Sequence, residues 1–232
     1  LTLFEPKPLV YAIGDIHGCL SELKQMHEFI DRHIKPEDII VYIGDYIDRG
    51  PDSKGVVDLL IERQKTISNP QVHLLGNHED MMMEGNYWMV NGGAEAIKSY
   101  GLDPYDHGIE SRFFQDLCPR DHQEFYAELR YHVLIGKTVF VHAAIDPSYD
   151  LDNQADHTKL WVRHFDAYKG DYVGGYTVVR GHTPTTEVIE RTNQIMIDTG
   201  CVFGNKLTCL IIDPNNPEDR SFHQVKSEQP KW

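Results

Sequence analysis

The chain is short of several things that would define other classes of protein. Positive charge is scarce: 22 Lys and Arg face 36 Asp and Glu, a formal balance of −14 across 232 residues. That deficit argues against a protein whose affinity comes from nucleic-acid backbones, which need basic surface. It does not exclude a phosphorylated substrate, because bound divalent cations invert the field of an acidic site. Long apolar runs are missing too. None approaches the roughly 20 residues needed to cross a bilayer, so no membrane partner is expected. The opening Leu1-Thr2-Leu3-Phe4-Glu5-Pro6 has no basic start and no apolar stretch, so no secretory signal is expected. The four cysteines, Cys19, Cys118, Cys201 and Cys209, include no Cys-x-x-Cys pair, which argues against a zinc knuckle. They read as buried, reduced thiols of a cytoplasmic protein, with a Cys201–Cys209 disulfide as the weaker alternative. Internal repeats and low-complexity segments are also lacking. What remains is one domain over 1–232, with ample length for a buried core.

The stretch that stands out is Gly44-Asp45-Tyr46-Ile47-Asp48-Arg49-Gly50. It follows Ile39 to Ile43, an apolar run that reads as a buried strand. Two carboxylates and a guanidinium leave that strand end within one tight turn. The same arrangement recurs on both sides. Leu9 to Ile13 reads as a strand ending in Gly14-Asp15-Ile16-His17-Gly18. Val72 to Leu75 reads as another, ending in Gly76-Asn77-His78-Glu79. Between them, Leu20, Leu23, Met26, His27 and Ile30 recur at helical spacing, as do Val56, Val57, Leu60 and Ile61, with Ser53 as the expected N-cap. The order β-α-β-α-β predicts right-handed crossovers and a largely parallel sheet. Ligands of such sheets gather at the carboxyl ends of the strands, so the three turns should lie side by side.

Residues 85–132 are rich in aromatics and read as a helical insertion partly covering the site, or simply as a second helical layer of the core. Asp121 with Glu124 reads as a capping box opening a helix through Arg130. Strands then resume at 138–141, 176–179, 194–197, 206–212 and 222–225, predicting a second, antiparallel or mixed sheet packed on the first. The segment 146–175 reads as a long acidic loop, and residues 214–232 as a turn, a short strand and a frayed tail. The expected class is therefore α/β with α+β elements, two packed mixed sheets flanked by helices.

Asp15 with His17 makes an oxygen and nitrogen pair suited to a divalent transition metal. Asp45, in the middle turn, is the natural bridging carboxylate for two cations about 3.5–4 Å apart. Asn77 adds a neutral carbonyl oxygen. In order, spacing and identity these three turns resemble the signature motifs of the PPP-type serine/threonine protein phosphatases, within the calcineurin-like metallophosphoesterases. Trp88 to Gly93 and Leu160-Trp161-Val162-Arg163 resemble the bacterial and bacteriophage branch. The resemblance implies that Asp15, His17 and Asp45 hold one metal, and that Asp45, Asn77, His142 and His182 hold a second. It implies His78 as general acid, Asp48 as its orienting carboxylate, and Arg49 and Arg163 as the phosphate clamp. The implied reaction is hydrolysis of a phosphate monoester by a hydroxide that the two metals share, attacking phosphorus in line. Mn2+ is the favoured ion, with Fe and Zn as alternatives. A phosphorylated protein or peptide is the expected partner, with serine/threonine favoured and tyrosine left open. A symmetrical dinucleoside tetraphosphate hydrolase is the main rival, and a catalytically silent binding scaffold a remote one. Arg180 departs from the family pattern, and is expected either to add charge near the phosphate or to pair with an acid. The nine other histidines, Glu79, Asp146 and Asp198 are expected to play structural roles.

Overall fold

The computed structural model describes residues 7–163 and 175–231. One five-stranded sheet has the order β10 (Arg220–Lys226), β9 (Lys206–Ile212), β1 (Val10–Ile13), β2 (Ile39–Tyr42) and β3 (Gln71–His73). β1, β2 and β3 run parallel, while β9 lies antiparallel to β1 and β10 antiparallel to β9. The other sheet has the order β4 (His132–Ile135), β5 (Thr138–Val141), β6 (Thr177–Arg180), β8 (Gln194–Met196) and β7 (Ile189–Arg191). Its centre, β5-β6-β8, is parallel, and its two edges are antiparallel. Both sheets are thus mixed, as expected. The last two strands, however, join the first sheet and not the second. They are apolar enough to extend it: β9 is buried along almost its whole length beside β1.

Alternation along the strands of the first sheet builds a core on each of its two faces. Val10, Ala12, Val41, Ile43, Leu210 and Ile212 meet Phe140, Val179 and Ile195 between the sheets. The opposite-facing Tyr11, Ile13, Ile40 and Tyr42 pack under α1 (Leu20–His33) and α2 (Ser53–Thr66), because successive side chains of a strand point to opposite faces. The helix α3 (Asn77–Glu84) follows β3. The aromatic stretch folds into α4 (Gly93–Ser99), α5 (Ile109–Arg112) with a π-type turn at Phe113–Leu117, and α6 (Arg120–Ala127). Trp88, Phe113, Phe125 and Tyr126 are buried in the same core as α1 and α2.

Several local expectations give way to competing hydrogen bonds. Asp52, not Ser53, caps α2, accepting from the Gly55 amide at 2.8 Å. The Ser53 hydroxyl is instead engaged by the Asp48 amide at 2.9 Å. The Asp121–Glu124 capping box does not form. Pro119 stands at the N-cap of α6, Asp121 accepts from the adjacent His122 amide, and Glu124 pairs with Arg120. α6 stops at Ala127, and Arg130 pairs instead with the backbone beyond β3. The strand β4 was not anticipated, and it makes a hairpin with β5. The acidic segment after 146 holds the helix α7 (Asp156–Trp161); its part from 164 to 174 lies outside the described residues. The tail is not frayed through Gln229. Ser227, Glu228 and Gln229 all donate to the buried Glu22 carboxylate. All four cysteines are buried and free, so no Cys201–Cys209 disulfide forms.

Candidate metal centre

The carboxyl ends of β1, β2, β3, β5 and β6 deliver Asp15, His17, Asp45, Asn77, His142 and His182 to one place. All six are almost wholly buried. Asp45 sits at the centre. Its Oδ2 lies 3.4 Å from His17 Nε2 and its Oδ1 lies 3.4 Å from His142 Nε2. Asn77 Oδ1 lies 3.1 Å from His142 Nε2 and 2.8 Å from His182 Nδ1. Asp15 accepts from the His182 amide at 3.0 Å. Ligand atoms of Asp45, His142 and His182 fall within 4.8 Å of one another, as do those of His17, Asp45 and His78.

The backbone is bent to achieve this. Six non-glycine residues among those described have positive φ, and five belong to this site: His17, Asp45, Asp48, Arg49 and His182. Such conformations are costly and persist only where the surroundings enforce them. Gly181 is required for a different reason. A Cβ there would stand 2.0 Å from Asp15 Oδ1.

At Asp45 the enforcing group is Glu79. Its carboxylate accepts from the amides of Tyr46, Asp45, Gly76 and Ile47, at 2.8 to 3.2 Å. It therefore shapes the whole Asp45 turn, a larger role than a residue of the helix N-terminus. Its sequence signal was only its place after Asn77-His78. Trp88 is the other residue whose part was missed. Its indole N–H donates to Asp48 Oδ1 at 2.7 Å, while Asp48 Oδ2 accepts from His78 Nδ1 at 2.6 Å. His78 Nε2 then faces the centre, 4.0 Å from Asp45 Oδ2.

The donor set fits cations on its own chemistry. Burial pushes His17 and His142 down, and His182 down to about 3, so these imidazoles are neutral near pH 7. His142 Nδ1–H donates to the Ile43 carbonyl at 3.0 Å. Its Nε2 lone pair therefore faces two oxygens, those of Asn77 and Asp45. Lone pairs converging in this way repel unless a cation lies among them. The carboxyl groups tell the same story. Burial, with Asp198 and Asp45 nearby, pushes Asp15 well above the usual range, and burial with Asp45 does the same to Glu79. Burial pushes Asp198 up to about 7. Only Asp45 goes the other way, its surrounding histidines outweighing burial. Asp15, Glu79 and Asp198 are thus disfavoured as anions, a cost that a cation among them would offset.

Two guanidiniums close on it. Half-buried Arg49 donates to His17 Nε2 at 2.7 Å, and exposed Arg163 to His182 Nε2 at 3.1 Å. Arg180 does not project freely at the phosphate side; its side chain is engaged by backbone. Buried at the end of β6, it donates to the carbonyls of Ala143 and Val162, bracing the segment that carries Arg163. Beside Arg49 a cavity of about 420 Å³ opens, lined by Val90, Asn91, Glu95 and Phe203 among others.

Two mixed sheets in a sandwich, with an oxygen and imidazole cage at the strand ends, define a metal-dependent hydrolase of the phosphoesterase class. The family profile for calcineurin-like phosphoesterases matches residues 8–217, and the chain belongs to that family. It is 33% identical to a serine/threonine-protein phosphatase 1 of Salmonella typhimurium, over 86% of this chain and 89% of that protein. It is 30% identical to an asymmetrical bis(5'-nucleosyl)-tetraphosphatase of Oceanobacillus iheyensis, over 94% of this chain and 92% of that one. In three dimensions it resembles a putative diadenosine tetraphosphatase with a TM-score of 0.68 at 21% identity, covering 97% of this chain and 96% of the other. No helix among the described residues is long and apolar enough to cross a membrane.

Proposed function

We propose that this phosphoesterase hydrolyses phosphate monoesters carried on proteins, with phosphoserine and phosphothreonine as the main substrates and phosphotyrosine as a further one. The observation that carries the reading is the His78–Asp48 pair, set beside a cage built for cations and flanked by two arginines. Asp15, His17, Asp45, Asn77, His142 and His182 would hold two divalent ions, Mn2+ by preference. When bound, such ions supply an acidified water and Lewis acidity toward the phosphate.

The chain's own groups do the rest. Arg49 and Arg163 hold the phosphate oxygens and offset their charge. His78 passes a proton from Nε2 to the leaving alcohol oxygen. Asp48 accepts from Nδ1 and so fixes which nitrogen faces the substrate. Trp88 holds Asp48 in turn, and Glu79 holds the loop on which Asp45 sits. A cytoplasmic setting suits four reduced thiols.

The resemblance to the Oceanobacillus enzyme supports a second reading, hydrolysis of a dinucleoside tetraphosphate, and the cavity beside Arg49 is large enough for a nucleobase. A substrate panel separates the two. Protein loaded with Mn2+ is given phosphoserine, phosphothreonine and phosphotyrosine peptides, nitrophenyl phosphate and diadenosine tetraphosphate. A kcat/KM higher on phosphopeptides favours the first reading, and one highest on the dinucleotide replaces it with the second.

A further inference from the structure

Away from the cage, a second group of ligand-bearing side chains meets in the interior. One atom each of Cys19, Glu22 and Cys201 falls within 4.8 Å of the others. Cys19 precedes α1, and Glu22 lies three residues on, in the first turn of that helix. Residues so spaced share a helix face. Cys201 opens a 3-10 turn, Cys201–Phe203, between β8 and β9. Cys19 and Glu22 have no exposed surface, and Cys201 has 2%.

The carboxylate is half satisfied. Glu22 Oε1 accepts from the Glu228 amide at 2.8 Å, the Ser227 hydroxyl at 3.1 Å and the Gln229 side-chain amide at 3.4 Å. Glu22 Oε2 is buried with no hydrogen-bond partner. An oxygen left in that state costs free energy that a cation would recover. Two sulphurs and a carboxylate form a donor set for zinc or a softer ion, and a poor one for Mn2+ or Mg2+.

We infer that Cys19, Glu22 and Cys201 form a third cation site, taking zinc or another thiophilic divalent ion, separate from the catalytic pair. On binding, each thiol sulphur forms a bond to the ion and gives its proton to solvent; no electron is transferred. The Ser227 hydroxyl, which donates to Glu22 Oε1 at 3.1 Å, offers a further oxygen beside the carboxylate. The three ligands are buried from solvent. The site ties the loop of Asp15 and His17 to α1, to the turn after Asp198, and through Glu22 to the chain end. Without the ion Cys19 donates to the His17 carbonyl; binding replaces that bond with one from sulphur to the ion, two residues from His17. Sequence spacing hid the site, because 182 residues separate its two cysteines and only the pairing of β9 with β1 brings them together.

Cobalt distinguishes this site from the catalytic one. Sulphur-to-cobalt charge transfer absorbs in the near ultraviolet, and the catalytic cage contains no sulphur. Metal-free full-length protein titrated with Co2+ should develop that band and take up a third ion per chain. Cys19→Ser and Cys201→Ser should lose both the band and that ion. Asp45→Asn should keep the band while losing catalytic ions, and its Tm should rise on adding Zn2+. The wild-type titration alone decides the matter should a cysteine variant not fold. Uptake that stops at the catalytic pair with no band would overturn the inference. So would recovery of Cys19 and Cys201 as a disulfide from freshly prepared protein.

Discussion

Replacing Asp48 by Asn changes one atom and separates two roles. Asp48 is wholly buried and accepts two hydrogen bonds, from His78 Nδ1 at 2.6 Å and from Trp88 Nε1 at 2.7 Å. Asn offers one acceptor oxygen, so its amide N–H must face either the imidazole or the indole. The lost bond is charge-assisted and buried, worth about 1.5–3 kcal/mol. If that loss falls on the transition state, kcat drops roughly 10- to 150-fold. It should do so for phosphoserine peptide, whose alkoxide leaving group needs a proton. Nitrophenyl phosphate, whose leaving group needs little help, should lose no more than about 3-fold. Metal content should not change, because Asp48 contributes no oxygen to the cage. The fold should persist, because the cost of burying the carboxylate, which pushes Asp48 up, is removed and offsets part of the lost bond. Steady-state kinetics on both substrates, with metal analysis of the same preparation, make the test. Equal losses on the two substrates would refute the general-acid chain, and loss of metal would make Asp48 a ligand.

Glu79→Gln should turn an amide toward two of the four backbone N–H groups that the carboxylate now accepts; a destabilisation of about 3 kcal/mol and weaker metal retention are expected, read by urea unfolding and metal analysis. Trp88→Phe keeps a ring against Phe113 but removes the donor to Asp48, so kcat on alkyl phosphates should fall about 3- to 10-fold with KM unchanged. His73 is buried against Tyr42 and Phe125, and burial pushes it down to about 3. Its folded pKa lies below its unfolded one, so the stability it contributes is complete above about pH 6.5 and is lost as pH falls toward 3, by at most ~4–5 kcal/mol. His73→Gln should therefore move the acid-unfolding midpoint to lower pH, and an unchanged or raised midpoint would contradict the burial argument.

The parallel half of the first sheet was legible because each strand is an apolar run closed by glycine and followed by a helical pattern. Asp15, His17, Asp45 and Asn77 could be read from three such turns recurring at the spacing of one βα unit, whereas His142, His182 and the roles of His78 and Asp48 came only from the family resemblance. Partnerships across the fold were not. β9 and β10 look like any strands until β9 lies against β1. Arg180 reads in the sequence as a charge for the phosphate or for an acid, and the bonds it donates to the carbonyls of Ala143 and Val162 depend on contacts across the fold. Glu79 follows its neighbours as an ordinary first-turn acid, and only the left-handed turn at Asp45 exposes the amides it must hold. Ser53 and Asp52 differ by one position, and the choice of cap was decided by an amide five residues away, at Asp48.

Two divalent ions at the Asp45-centred cage are what catalysis should depend on. Metal-free protein titrated with Mn2+, with nitrophenyl phosphate hydrolysis followed at each addition, measures this directly. No turnover should occur in chelator, and activity should rise to a plateau near two equivalents per chain. Asp45→Asn should abolish the plateau while leaving the protein folded. Turnover by metal-free wild type in the presence of chelator would contradict it.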